Sequence, residues 1–172
     1  MTDTISTSFH PKPSEVPLCS SIRIKLLESE IAVMSLKPGP EDSQEMVAPG
    51  NVDANASTTF TETESGLKYR ILRGSDGKKP KSRDKVTVHY KGWLDDHSIF
   101  DSSYRRNETI SFGLNQVIAG WTEGMQLIGE GGMIELEIPY QLGYGDRGTP
   151  GGPIPPKANL HFIVELYNVV EK

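Results

Sequence analysis

Three short stretches hold the residues of this chain best placed to do chemistry: Phe100-Asp101-Ser102-Ser103, Val117-Ile118-Ala119-Gly120-Trp121 and Gly143-Tyr144-Gly145. Each carries a large aromatic side chain. None supplies a nucleophile–base pair or a cluster of metal ligands. A site rich in aromatics and poor in reactive groups suits an apolar ligand that is held and reshaped rather than attacked.

Other chemistries are weaker. Gly143-Tyr144-Gly145-Asp146-Arg147-Gly148 matches a dinucleotide-binding fingerprint, but that motif must open a helix. The Gly/Pro-rich run from Thr149 to Pro156 cannot be one. His10, His89, His97 and His161 show no metal-ligand spacing, so no metal is expected. His89 and His161 fall on strand positions opposite the apolar residues, where exposure is the default. Ser102 and Ser103 lack a nucleophile motif and read as turn residues whose hydroxyls bond nearby backbone. Tyr90, Phe100, Trp121, Tyr144 and Phe162 could be ordinary core or could share a pocket; composition leaves both open. Asp101 is either a surface turn residue or a buried, paired acid, with Arg105 and Arg106 close enough to partner it.

The elements that must position these residues are mostly strands. Alternation of apolar and polar residues predicts strands over 68–72, 85–94, 110–112, 133–139 and 160–166, with another starting at Ile99-Phe100. Val86, Val88 and Tyr90 face one way, and Thr87, His89 and Lys91 the other. One helix fits, over 116–128, with Val117, Trp121, Met125 and Ile128 on one face. An antiparallel sheet carrying a single helix is an α+β arrangement.

The chain of 172 residues carries a net charge of -5, which argues against a nucleic-acid surface. Cys19 is its only cysteine, so no internal disulfide can form. No stretch is apolar enough to span a bilayer, and no signal peptide is read at the N-terminus, so no membrane partner and a cytoplasmic address are expected. The character of the sequence changes near residue 58. Residues 1–57 hold four Lys+Arg against eight Asp+Glu and one aromatic, Phe9. They are expected to be a disordered extension, within which 22–36 shows helical spacing. Met34 is an alternative start. Residues 58–172 are expected to be the folded domain.

The motifs of 64–172 resemble the FKBP-type peptidyl-prolyl cis-trans isomerase family. The pieces that carry the resemblance are Ser65-Gly66-Leu67-Lys68-Tyr69, the run from Val86 to Leu94, Phe100-Asp101-Ser102-Ser103, the run from Val117 to Met125, Leu142-Gly143-Tyr144-Gly145, and the run from Ile154 to Leu160. They occur in family order. The resemblance implies a curved antiparallel sheet of about five strands wrapped around one short helix, with the pocket between them. Trp121 would be its floor, and Tyr90, Phe100 and Phe162 its walls. Tyr144 would donate its hydroxyl to a bound carbonyl, and the Ile118 N–H would meet another. Asp101 would bond Tyr90 and pair with Arg106, while Val117 and Ile154 would line the rim. Ile110 stands where family members often carry an aromatic, and Pro153 where they often carry an aliphatic residue.

The implied activity is rotation of Xaa–Pro peptide bonds without covalent chemistry or a cofactor. The implied partners are proline-containing peptides and unfolded or partly folded proteins, with tacrolimus-type or rapamycin-type macrolides as further ligands. The competing expectation is a non-catalytic proline-peptide binding or chaperone module.

Overall fold

The computed structural model describes residues 39–171. The helical spacing at 22–36, His10, Cys19 and Met34 lie outside the described residues. The sheet has seven strands: β1 (Thr61–Glu62), β2 (Lys68–Arg73), β3 (Lys85–Trp93), β4 (Ile99–Ser102), β5 (Ile110–Gly113), β6 (Met133–Ile138) and β7 (Leu160–Val170). Their order is β1-β2-β6-β7-β3-β4, and β5 also pairs with β3. All pairings are antiparallel. The count exceeds the expected five because β1 has only two residues and because β4 and β5 share one edge of β3. No described helix is long and apolar enough to cross a membrane.

The helix is shorter than its periodicity suggests. Helix α1 spans Ala119–Gly124 and tightens into a 3₁₀ turn at Met125–Leu127. Val117 is extended, with φ -116 and ψ 174, so it precedes the helix instead of opening it. Trp121 and Met125 still point into the core, together with Val88, Ile134, Leu136, Ile138, Val164 and Leu166. Gly120 lets α1 lie close to β6, because a Cβ there would stand 2.5 Å from Ile138 Cγ2.

Strand alternation assigns one face of the sheet to α1. The opposite face departs from expectation. His89, Lys91, Glu135 and Glu165 are all buried there, between 2 and 7 % exposed. The cover comes partly from residues 39–57. Their composition is polar and aperiodic, but their backbone and carboxylates hydrogen-bond the sheet. The Gly50 N–H and the Tyr104 hydroxyl both donate to Glu165 Oε1, at 2.8 and 2.7 Å, and Arg73 donates to Oε2 at 2.9 Å. Lys91 Nζ donates to the Pro40 carbonyl at 2.8 Å and meets Glu45 at 3.2 Å. His89 stacks on Tyr104 with centroids 5.0 Å apart, and its Nδ1 lies 2.7 Å from Ser103 Oγ. His161 stacks on Trp93 and bonds Asp95, so it too is partly covered.

The contacts of Glu165 are expected to make stability acid-sensitive. Burial alone would raise the Glu165 pKa, but its three donors outweigh that and hold it below the usual carboxylate value. A depressed folded-state pKa contributes stability that is complete above the unfolded value, about 4.3, and is lost as pH falls through the folded value. The urea midpoint of wild type is therefore expected to drop below about pH 4.3. Its advantage over Glu165→Gln should shrink in the same window. An advantage that stays constant down to full protonation would contradict the assignment.

Candidate functional site

A cavity of about 430 Å³ opens between the sheet and α1. Its floor is Trp121, delivered by α1 and 5 % exposed. Three rings stand edge-on to the indole: Tyr90 at 5.5 Å, Phe112 at 5.3 Å and Phe162 at 5.2 Å between centroids. Phe100 in turn meets Phe162 edge-on at 5.5 Å. Edge-to-face contacts of this kind lock rings more firmly than burial alone. Strand periodicity aims these side chains. Tyr90 lies on the same face of β3 as Val86 and Val88, and Phe162 shares a face of β7 with Leu160 and Val164. Between them Gly92 leaves the room they need, since a Cβ there would stand 2.6 Å from both Phe100 Cζ and Phe162 Cε1.

One wall is held electrostatically. The Tyr90 hydroxyl donates to Asp101 Oδ2, and Arg106 Nη1 donates to Asp101 Oδ1 at 2.9 Å. Burial alone would raise the Asp101 pKa. The bond from Tyr90 and the Arg106 guanidinium outweigh it and keep the group ionised. Burial and the Asp101 carboxylate push the Tyr90 hydroxyl well above its ordinary pKa, so it remains a donor. Asp101 is thus a paired acid, and the partner is Arg106. Arg105 turns away, its Nε donating to Asp42 at 2.6 Å.

The lining is mostly apolar, with Asp101, Gln116 and the phenols of Tyr90 and Tyr144 as its polar side chains. Tyr144 is 43 % exposed and lines the cavity. Ile118 is the N-cap of α1, with φ -59 and ψ 149. Its N–H lies ahead of the helical ladder, where backbone donors have no intrahelical acceptor. Ile110, 40 % exposed, and Val117 complete an aliphatic rim.

The structure therefore brings Tyr90, Phe100, Asp101, Ile110, Val117, Ile118, Trp121, Tyr144 and Phe162 around one cavity. Two expected residues are not among its lining. Arg106 acts behind Asp101. Ile154 is 5 % exposed and packs in the same core as Trp121 and Phe162, its N–H on Thr149 Oγ1 and its carbonyl accepting from the Thr149 N–H. The 149–154 loop folds back on itself in this way and so draws Ile154 inward. Phe112 and Gln116 line the cavity without having been singled out. Phe112 could have been found from its alternation with Ile110 on β5. Gln116 carries no such signal. Among the described residues, no group of three or more His, Cys, Asp or Glu could hold a metal ion.

The arrangement can seat a compact apolar group against the indole, hydrogen-bond carbonyls at the mouth, and supply no nucleophile. Comparison with known proteins agrees with this chemistry. A family model described as FKBP-type peptidyl-prolyl cis-trans isomerase matches residues 76–167. A probable FKBP-type isomerase of Haemophilus influenzae is 47% identical over 110 residues, covering 64% of this chain and 45% of that protein. The isomerase FkpA of Escherichia coli is 49% identical over 107 residues, covering 62% of this chain and 39% of its own. The crystal structure of that FkpA superposes with a TM-score of 0.62 at 46% identity, covering 66% of this chain and 52% of the other. The match thus takes in less than half the length of these two curated relatives.

Proposed function

Because this chain belongs to the FKBP-type peptidyl-prolyl cis-trans isomerase family, we propose that it accelerates rotation about Xaa–Pro bonds in proline-containing peptides and in unfolded or partly folded proteins. The observation that carries this reading is the cavity floored by Trp121, with an aromatic wall fixed through Asp101 and no reactive group inside.

The barrier to rotation is about 18–20 kcal/mol because the C–N bond has partial double-bond character. For Xaa–Pro the two end states lie close in energy, so only the rate needs help. On twisting, amide resonance is lost and the carbonyl sheds negative character. An apolar, water-poor cavity disfavours the more polar planar ground state, and the pyrrolidine ring is small enough to rest on the Trp121 indole. The Tyr144 hydroxyl and the Ile118 N–H then hold flanking carbonyls in a turn-like shape. Each tenfold in rate requires about 1.4 kcal/mol of preference for the twisted amide, so several modest contacts suffice.

Tacrolimus-type and rapamycin-type macrolides are proposed ligands of the same cavity, whose apolar lining and donors at the mouth suit a bulky ligand with carbonyl groups. The test is a protease-free cis-to-trans assay on a Leu-Pro tetrapeptide, with and without tacrolimus. Turnover that the drug blocks supports both the activity and its site. Binding of the peptide without turnover would instead make the domain a non-catalytic proline-peptide module.

Tyr144→Phe is expected to be mild. It removes one hydroxyl from a mouth open to water, and a neutral hydrogen bond contributes about 0.5–1.5 kcal/mol net. The expected fall in kcat/KM is therefore under about tenfold. A complete loss of turnover in this variant would require Tyr144 to act chemically, which the proposed mechanism excludes.

A further inference from the structure

Residues 39–50 cross the face of the sheet opposite α1, and they grip the segment that holds the pocket wall. The Met46 N–H donates to the Tyr104 carbonyl at 3.1 Å. Asp42 Oδ2 accepts from Arg105 Nε at 2.6 Å, and the Asp42 N-terminal turn is itself tied by the Gln44 N–H on Oδ1 at 3.0 Å. Glu45 pairs with buried Lys91 at 3.2 Å.

The gripped segment is the 3₁₀ turn Tyr104–Arg106. With three residues per turn, consecutive side chains leave such a helix about 120° apart. Tyr104 goes back under the sheet to Glu165, Arg105 goes to Asp42, and Arg106 goes forward to Asp101. Ser103, just before the turn, is tied to β3 at Tyr90: its N–H donates to the Tyr90 carbonyl at 2.9 Å and its Oγ accepts from the Tyr90 N–H at 2.8 Å. One short turn therefore joins the strap on one face to the Tyr90–Asp101–Arg106 wall on the other. Arg106 is half exposed and reaches Asp101 from the end of this turn, so the placement of the turn bears on its aim.

We propose that residues 39–50 are a positioning strap for the isomerase pocket, in which Asp42, by holding Arg105, sets the turn that aims Arg106 at Asp101. Asp42 touches no substrate and is a positioning residue, not a catalytic one. The strap lies outside residues 76–167, so the pocket draws support from chain that precedes the family-matching segment. The inference rests on the isomerase reading for its kinetic consequence, but not for its structural one.

The test uses the full chain and two readouts: kcat/KM on the Leu-Pro tetrapeptide, and the titration of the Asp101 carboxyl followed by carbon NMR. Asp42→Asn is expected to lower kcat/KM by about threefold or more, the size of coupling seen between contacting charged groups. The Asp101 titration should move upward toward the ordinary carboxylate value as Arg106 loses its aim. Exchanging the pair, Asp42→Arg with Arg105→Asp, should restore both readouts in part. A folded Asp42→Asn protein with wild-type kcat/KM and an unmoved Asp101 titration would overturn the proposal and leave the strap a purely stabilising element. If Asp42→Asn fails to fold, Arg105→Lys, which keeps the charge and loses the planar donor, carries the same comparison. A wild-type protein without turnover would overturn the isomerase reading, while the Asp101 titration would still decide the strap.

Discussion

Replacing Trp121 with alanine is expected to destabilise the fold by about 3–5 kcal/mol and to lower kcat/KM on a Leu-Pro tetrapeptide by at least about tenfold. Both effects have one origin. The indole is 5 % exposed and meets Tyr90, Phe112 and Phe162 edge-on. Alanine removes the surface on which a proline ring would rest and leaves three rings without their common neighbour. Aromatic pairs contribute about 0.5–1.5 kcal/mol each beyond burial, so losing several is larger than any single hydrogen bond at the mouth. Denaturant unfolding and the protease-free assay, run on the same preparation, separate the two effects. Trp121→Phe should recover most of the stability and part of the activity. A folded Trp121→Ala protein with undiminished turnover would place the reacting bond elsewhere.

Asp101→Leu is expected to produce the second largest change, through the wall instead of the floor. Leucine strips the Tyr90 hydroxyl of its acceptor and Arg106 of its partner. An unsatisfied group beside a buried ring costs about 1–3 kcal/mol, and Tyr90 is 9 % exposed. The phenol must then turn toward water or carry that penalty, and either disturbs its contact with Trp121. A fall in kcat/KM of about tenfold is expected. The Tyr90 hydroxyl should also titrate at lower pH than in wild type, because the neighbouring carboxylate that opposed its ionisation has gone. Asp101→Asn, which keeps an acceptor but loses the charge, should fall between the two. Full activity in Asp101→Leu together with an unmoved Tyr90 titration would show that the wall holds itself.

Much of this site was legible because strand periodicity is local. The alternation that places Val86 and Val88 in the core also places Tyr90 there, and β7 treats Phe162 in the same way. Chain order then brings the Gly-flanked Tyr144 and the Trp121 helix to the same cavity once the family resemblance supplies the topology. Alternation failed where a second layer intervened. His89 and Lys91 sit at positions that a one-layer sheet would expose, and they are buried because residues 39–50 and Tyr104 cover them. The contact between Gly50 and Glu165 spans 115 residues of sequence, and a period of two cannot report it.

By itself, then, the sequence determined the kind of chemistry available: rings without nucleophiles, on strands whose pattern points them inward, close to an acid with two arginines in reach. Only the tertiary structure decided which arginine reaches Asp101, since a three-residue turn sends Arg105 and Arg106 to opposite faces of the sheet. It alone tied Ile154 to Thr149 and brought Phe112 and Gln116 into the lining. The physical reason is the same in each case. Side-chain period is set by neighbours in the chain, but burial and pairing are set by whatever the rest of the fold lays across them.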